Sequence, residues 1–297
     1  MQLSNAIILT LKSNWKPKLY YEISILAEML SFSIWSLIEA LTIWLATWID
    51  SFIIGSVLSQ YYLGLYKTST SLVNTLMTII TASVAPVLFS TLSRIQDDDS
   101  QFVRIYLKVQ RVISIIVLPL GVGIFIYDDL VTKILLGDAW NEAGNVIGIW
   151  ALTTSIMIVF EHFCSEVYRS KGKPKISILA QVLHLVVLVP ACIISSKFGF
   201  WSLVYTRAWI RMEAVVIHLI IMKWMIGLNI KDNFKNVMPS LIAVLAMGLL
   251  GGYLQKMASG IWWDLLSIAL CSVLYFGILL LFPSMRKEAR KIINIRG

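Results

Sequence analysis

Long apolar runs separated by short basic loops make up most of the chain. Eight of these runs reach the roughly 20 residues that a helix needs to cross a bilayer. The predicted spans cover about residues 30–54, 62–89, 108–127, 144–165, 176–196, 201–222, 237–255 and 262–282. The pattern therefore predicts an all-α integral membrane protein with about eight transmembrane helices.

Polar residues in the second predicted span recur at helical spacing. Lys67, Ser71, Asn74, Thr78 and Thr81 are separated by 4, 3, 4 and 3 residues, which places them on one helix face. We call these five residues the polar stripe. Such a face can hold helices together through hydrogen bonds or line a polar cavity, and the sequence leaves both interpretations open. Lys67, near one end of the span, can also extend its amine to the membrane interface.

The sixth predicted span carries two arginines. Arg207, Arg211 and His218 lie within about 40° of one another on a helical wheel, and each arginine in a span costs at least about 2.5 kcal/mol. One interpretation is a structural ion pair, for example between Arg211 and Glu39 or Glu161. The other is a cationic wall for an anion, since a guanidinium group suits two-pronged contact with phosphate.

Two carboxylates occupy the first predicted span. Glu39 and Asp50 are eleven residues apart, which is about 20° past three full helical turns. Both therefore lie on the same face of that helix. Because a bare charge in lipid is costly, this face is expected to meet something wet or charged.

Composition agrees with a membrane protein and explains the net charge. The chain is 58% apolar with a mean hydropathy of +0.79, and only 14% of its residues are charged, against about 25% in soluble domains. Nineteen of the 25 lysines and arginines fall in loops or near span ends on one side of the predicted membrane, and four fall on the other. The positive-inside rule then predicts that both termini are cytoplasmic. The charge of +8 thus reflects topology, and no nucleic-acid partner is expected.

The sequence shows no pattern of catalytic or metal-binding residues. It lacks metal-ligand spacing among His, Cys, Asp and Glu, and it has no G-x-S-x-G, P-loop or dinucleotide-binding fingerprint. The aspartate run at 97–99 is interpreted as a solvated cap for the helix that follows. We therefore expect neither an enzyme nor a bound cofactor.

Several stretches, in order, resemble the polysaccharide flippase branch of the multidrug/oligosaccharidyl-lipid/polysaccharide exporter superfamily, which includes the O-antigen, colanic acid and teichuronic acid exporters. They are WKPKL at 15–19, Asp50 with IIG at 53–55, YLGLY at 62–66, VLFSTLSRIQDD at 87–98, ILLGDAW at 134–140 and RSKGKP at 169–174. Ser90 stands where that family usually has proline. No single stretch is specific, but their order and spacing over residues 15–226 carry the resemblance.

The resemblance implies a domain organisation. Family members have two six-helix lobes, often followed by two extra helices, and this chain resembles the second lobe with that pair. The implied segments are a remnant of a preceding transmembrane helix at 1–14, a cytoplasmic linker at 15–29, the six-helix lobe at 30–226, the accessory helix pair at 237–282 and a basic cytoplasmic tail at 283–297. The first lobe is expected to be missing through truncation or to be a separate polypeptide partner.

The resemblance also implies a function in the inner or plasma membrane. The family moves a polyprenyl-diphosphate-linked oligosaccharide between membrane leaflets for synthesis of surface polysaccharides such as the O-antigen of lipopolysaccharide. Arg207 and Arg211 would then contact the diphosphate. The polar stripe would face sugar or water, through Lys67, Ser71, Asn74 and Thr78.

The resemblance leaves two interpretations open for the acidic residues within the spans. In one they form a proton- or cation-coupling site, and in the other they are structural partners of the arginines. These residues are Glu39, Asp50 and Glu161. Asp50 lies in a stretch that matches the family, whereas Glu39 and the arginines rest on helical spacing alone.

Three other functions remain open on the sequence. A drug or cation antiporter of the same superfamily would need a mainly acidic and aromatic pocket, which the paired arginines oppose. A degenerate half-transporter or a scaffold for glycan assembly would not transport, since alternating access needs two lobes. A membrane glycosyltransferase or polymerase would need a large outer loop, but the longest predicted outer loop covers only residues 128–143.

Overall fold

A computed structural model of the chain describes residues 23–283, 285 and 286, with side chains for all of these except 23–29, 31–33, 35, 36 and 39. The interpretations placed on residues 1–14, on the linker up to residue 22 and on most of the basic tail lie outside the described residues. The side chain of Glu39 lies outside them as well. By internal packing the chain divides into residues 1–41 and 42–297, and the site described below belongs to the second unit.

The described part of the chain is helical, with ten α-helices and no strand. They are α1 (Ile23–Val57), α2 (Gln60–Arg94), α3 (Asp99–Ile126), α4 (Asp128–Leu135), α5 (Ala143–Met157), α6 (Cys164–Ser170), α7 (Lys175–Ser196), α8 (Phe200–Ile226), α9 (Ile230–Met257) and α10 (Ile261–Leu281). A π-helical segment, Ile158–His162, joins α5 towards α6, and a short 3₁₀ turn, Asp138–Trp140, precedes α5. The predicted all-α membrane fold is confirmed.

Seven segments within the described residues are long and apolar enough to cross a membrane, with α5 to α6 forming one of them. Each overlaps a predicted span. The remaining predicted span, at about 201–222, is present as the 27-residue helix α8. Its four charged residues leave no 18-residue stretch with fewer than three charges; they are Arg207, Arg211, Glu213 and Lys223.

The aspartate run caps a helix, as its sequence indicates. The Asp98 carboxylate accepts a hydrogen bond from the backbone N–H of Gln101 at 2.9 Å and another from the Ser100 hydroxyl at 2.8 Å. These hydrogen bonds lower the pKa of Asp98 below its ordinary value, the backbone contact most of all. Asp99 pairs with Lys171 at 2.6 Å. The run therefore fixes the start of α3 and ties it to the loop before α7.

α5 is the central helix of residues 42–297. Helices α2, α3, α4 and α8 all pack against it, and Val146, Ile147 and Ala151 are fully buried. A helix that is apolar on every side is typical of a position inside a bundle. Polar residues carried by α5 are consequently enclosed by neighbouring helices.

α3 and α5 approach each other closely at Gly121. A Cβ atom added to Gly121 would lie 2.3 Å from the Cβ and Oγ of Ser155 and 2.9 Å from the carbonyl oxygen of Ala151. Small residues permit such contact between membrane helices. We expect Gly121→Ala to destabilise the protein by about 1–3 kcal/mol, because the helix backbones must separate.

The matched control lies two residues away. A Cβ atom at Gly123 would have no neighbouring atom within 4 Å, so Gly123→Ala should leave stability close to that of the wild type. Thermal unfolding of the two purified variants in detergent, followed by size-exclusion chromatography, compares them. Equal unfolding temperatures would contradict the close contact at Gly121.

α9 is joined to the bundle through polar contacts with α3. Gln110 of α3 donates a hydrogen bond to Asn233, Arg111 donates to Asn236 at 2.7 Å, and the hydroxyls of Ser114 and Ser240 lie 3.0 Å apart. The predicted span starts at about residue 237, and α9 begins seven residues earlier, at Ile230. The added turns carry Asn233 and Asn236, which are buried and hydrogen-bonded to α3.

Candidate functional site

A cavity of about 450 Å³ lies between α1, α2, α5, α7 and α8 and the π-helical segment. Its depth follows from α8: Arg211 is eleven residues from the first residue of that helix, which is about 17 Å along an axis of about 40 Å. The cavity therefore lies near the middle of α8 along its length. Its ionisable lining residues are Asp50, Tyr66, Lys67, Glu161, His162, His184, Arg207, Arg211 and His218.

Arg207 forms a buried ion pair. Its Nε donates to Asp50 Oδ2 at 2.9 Å, and its Nη2 donates to the carbonyl oxygen of Ala46 at 3.2 Å. The Tyr66 hydroxyl donates to the same carboxylate oxygen at 2.6 Å. Arg207 and Asp50 are 7% and 3% exposed, so each supplies the charge that the other needs. Of the alternatives that the sequence left open for Asp50, the geometry corresponds to a structural partner of an arginine.

Arg211, one turn further along α8, has neutral partners. Its guanidinium carbon lies 3.4 Å from the centroid of the Trp150 ring, and its Nη1 donates to the Thr154 hydroxyl. Its Nε is buried without a hydrogen-bond partner. No ion pair of Arg211 occurs among the described residues. The positive charge of Arg211 is therefore held by an aromatic face and a hydroxyl and remains available to an anion.

The polar stripe of α2 reaches the cavity in part. Lys67, Ser71 and Asn74 line it. The Lys67 Nζ lies 3.8 Å from the centroid of the Trp48 ring, and Asn74 Oδ1 accepts a hydrogen bond from Trp150 Nε1 at 3.2 Å. Thr78 is exposed one turn further along and donates to the backbone oxygen of Asn74. It does not line the cavity, because the cavity ends above that turn of α2.

All three histidines of the sequence line this one cavity, beside Glu161. His218 Nε2 lies 3.7 Å from Glu161 Oε1, and His218 Nδ1 lies 2.8 Å from the Tyr168 hydroxyl. His184 Nδ1 lies 2.9 Å from Glu213 Oε2, behind the cavity wall. Glu161 Oε2 is buried without a hydrogen-bond partner. Of the two carboxylates that line the described cavity, Asp50 and Glu161, it is thus Glu161 that has an unsatisfied oxygen.

Glu161 and His162 belong to the π-helical segment, a widened turn often found at functional sites. Helical periodicity in the sequence does not predict this widened turn. The residues His162, Trp150 and Tyr66 were also not predicted to line a cavity. Trp150 did carry a signal, because it lies four residues before Thr154 and eleven before Glu161 and so shares their helix face. An aromatic residue in an apolar run nevertheless resembles ordinary core until its neighbours are known.

The cavity carries a small excess of positive charge. Its formal charges are three cations against two carboxylates, counting the histidines as neutral. The Arg207–Asp50 pair cancels internally, which leaves Lys67 and Arg211 opposite Glu161. Hydroxyl and amide groups of Thr70, Ser71, Asn74 and Gln181 complete the wall. The arrangement suits a polar ligand that carries negative charge.

The comparisons with known proteins agree with the fold and with the membrane setting. Residues 1–145 match a family described as "Polysaccharide biosynthesis protein". An uncharacterized membrane protein in the cps region of Klebsiella pneumoniae is 23% identical over 182 residues, which are 61% of this chain and 37% of that protein. The chain therefore spans little more than a third of that relative.

A solved structure shares the fold. The lipid II flippase MurJ, in an inward closed conformation, matches with a TM-score of 0.70 over 92% of this chain and 58% of the flippase. Its sequence identity of 17% makes this a likeness of fold. The family match, the curated relative and the fold agree with the resemblance that the sequence motifs carry, and the chain is similar to polysaccharide flippases, which are multi-pass membrane proteins.

Proposed function

We propose that the chain takes part in moving a polyprenyl-diphosphate-linked oligosaccharide across the inner or plasma membrane, for synthesis of a cell-surface polysaccharide. The observation that carries the proposal is Arg211, a 6% exposed arginine on the wall of a polar cavity that has no carboxylate partner among the residues the structure describes. A cation that is buried at such cost is expected to bind an anion during function. A diphosphate is the anionic part of the proposed substrate.

The shape and hydrogen-bonding groups of the site support this substrate class. Arg211 retains an unpartnered Nε for a phosphate oxygen, and guanidinium–phosphate contacts are commonly two-pronged. Lys67, Ser71 and Asn74 offer hydrogen bonds to sugar hydroxyls or water along the facing wall of α2. The polyprenyl tail would stay in the lipid, because apolar chains gain nothing from a polar cavity.

We propose that a second lobe works with this chain. The chain spans 58% of the flippase whose fold it shares, and alternating access arises when two lobes rock against each other around a central site. The second lobe would be a separate N-terminal polypeptide or a part of the same gene product. The positive-inside bias of the loops supports cytoplasmic termini for the described lobe.

The charge of the cavity disfavours a drug or cation antiporter. An organic cation would meet Lys67 and Arg211 and would find Asp50 already paired with Arg207. Glu161 is the remaining carboxylate among the lining residues. An anionic substrate is the better electrostatic match.

The test is deletion of the gene in the organism that carries it, with lipid-linked oligosaccharide and surface polysaccharide measured separately. The deletion is expected to reduce surface polysaccharide and to accumulate lipid-linked oligosaccharide that is inaccessible from outside the cell. A plasmid copy of the gene should restore both. Unchanged polysaccharide together with increased sensitivity to organic cations would contradict the proposal and favour the antiporter.

A further inference from the structure

We propose that Glu161 is a proton-binding site coupled to the anion site at Arg211, so that a diphosphate diester binds to the cavity together with one proton. The inference deepens the flippase function and rests on it for the class of anion. It assigns to Glu161 a proton that depends on the ligand, which distinguishes it from a carboxylate that merely pairs with an arginine.

The Glu161 carboxylate has few hydrogen-bonding partners among the described residues. Within the described residues, its Oε2 is buried without a hydrogen-bond partner, and its Oε1 lies 3.7 Å from His218 Nε2. This separation is too long for a hydrogen bond. A carboxylate buried without donors is unstable as an anion, and a bound proton removes that penalty.

Arg211 is placed to act on Glu161 through its charge. It lines the same cavity and is the cation of α8 that acts electrostatically on Glu161. While the cavity holds no anion, the unneutralised charge of Arg211 favours an ionised Glu161. When a diphosphate takes up that charge, Glu161 is left with a second anion in a poorly solvated cavity, and a proton relieves the repulsion.

The remaining charged groups do not remove this coupling. Arg207 is neutralised by Asp50, His184 is held by Glu213, and the Lys67 amine lies over the Trp48 ring. The titratable and charged groups near Glu161 are Asp50 of α1, Tyr66 and Lys67 of α2, Tyr106 of α3, His162 of the π-helical segment, Cys164 and Tyr168 of α6, His184 of α7, and Arg207, Arg211 and His218 of α8.

His218 keeps the proton on Glu161. Its Nδ1 faces the Tyr168 hydroxyl at 2.8 Å while its Nε2 faces Glu161. When Tyr168 donates to Nδ1, the Nε2 atom already carries a hydrogen and cannot accept a second one. A proton taken up with the anion therefore stays on the Glu161 carboxyl, next to the anion site.

The thermodynamic linkage between proton binding and anion binding fixes the direction in which anion affinity changes with pH. If anion binding promotes protonation, then protonation strengthens anion binding by the same factor. Affinity for the diphosphate should therefore fall as the pH rises, by up to about tenfold per pH unit where Glu161 is ionised in the free protein and protonated in the complex. A variant that cannot ionise at this position should bind with an affinity that does not depend on pH.

The experiment is isothermal titration calorimetry of the full chain in lipid nanodiscs, with farnesyl diphospho-N-acetylglucosamine as the probe. Both phosphates of this probe are diesters and do not titrate between about pH 5 and 9, so the pH dependence belongs to the protein. Titrations in two buffers of different ionisation enthalpy give the number of protons taken up. The wild-type protein is expected to bind as much as about one proton per molecule of probe, and the Glu161→Gln variant is expected to bind about none.

The matched control is Glu166→Gln. Glu166 lies five residues further along, pairs with Arg169 at 3.6 Å and does not line the cavity, so this variant should keep the proton uptake of the wild type. Wild-type binding without proton uptake, or unchanged uptake in Glu161→Gln, would overturn the coupling and leave the flippase proposal standing. Wild type that does not bind the probe would overturn both. The wild-type titration decides the matter even where a variant fails to fold.

Discussion

Arg211→Ala is expected to lower export of lipid-linked oligosaccharide at least about tenfold while membrane-inserted protein stays within about twofold of wild type. A hydrogen bond to a charged group contributes about 1.5–3 kcal/mol, which corresponds to a factor of about ten or more. Folding should tolerate the change, because the direct partners of Arg211 are the neutral Thr154 and Trp150. Its removal strands no directly paired carboxylate in the part of the chain that the structure describes.

Export of surface polysaccharide and the amount of protein in isolated membranes are to be measured on the same cultures. Arg211→Lys should give an intermediate result, since it keeps the charge but loses the planar fork of donors. Lys173→Ala removes an exposed charge outside the cavity and should export normally. Parallel losses of export and protein in Arg211→Ala would mean that this arginine is structural.

Asp50→Asn should destabilise the fold by about 3–5 kcal/mol, since removing one partner of a buried ion pair leaves the other charge without compensation. Arg207 would keep the Ala46 carbonyl as an acceptor, but neither that carbonyl nor the asparagine amide oxygen carries the negative charge of the lost carboxylate. The change should appear as a lower unfolding temperature in detergent and as less folded protein in membranes.

The free energy of interaction between Asp50 and Arg207 can be measured by a double-mutant cycle. Asp50→Asn with Arg207→Met removes both charges and should recover much of the stability that either single change loses, because the buried ion pair is replaced by neutral groups. Thermal unfolding of the four proteins gives the coupling. Losses that simply add would show that Asp50 and Arg207 do not stabilise each other.

The two arginines are therefore expected to differ although only one helical turn separates them. Loss of the Arg207–Asp50 pair should lower the amount of folded protein, whereas loss of Arg211 should lower export activity. The difference follows from the partners: a carboxylate and a tyrosine hydroxyl meet around Arg207, and an aromatic ring and a threonine hydroxyl meet Arg211. Helical spacing alone treats the two residues alike.

The sequence by itself determined the membrane class, the approximate spans and the faces that carry polar groups. Span length and apolar content are set by the bilayer, and helical periodicity decides which residues share a face, so these features need no knowledge of neighbouring helices. The same local logic identified the aspartate run at 97–99 as a cap, because the hydrogen bond that Asp98 accepts from Gln101 joins residues only three positions apart.

Only the tertiary structure decided which residues meet across helices. Glu39, Asp50 and Glu161 were equal candidates as arginine partners, and the depth and rotation of α1 against α8 brought Asp50 to Arg207. The same packing placed Trp150 under Arg211 and buried Asn233 and Asn236 against α3. Periodicity gives the direction of a side chain on its own helix, but the partner on another helix depends on how the two helices are turned and shifted relative to each other.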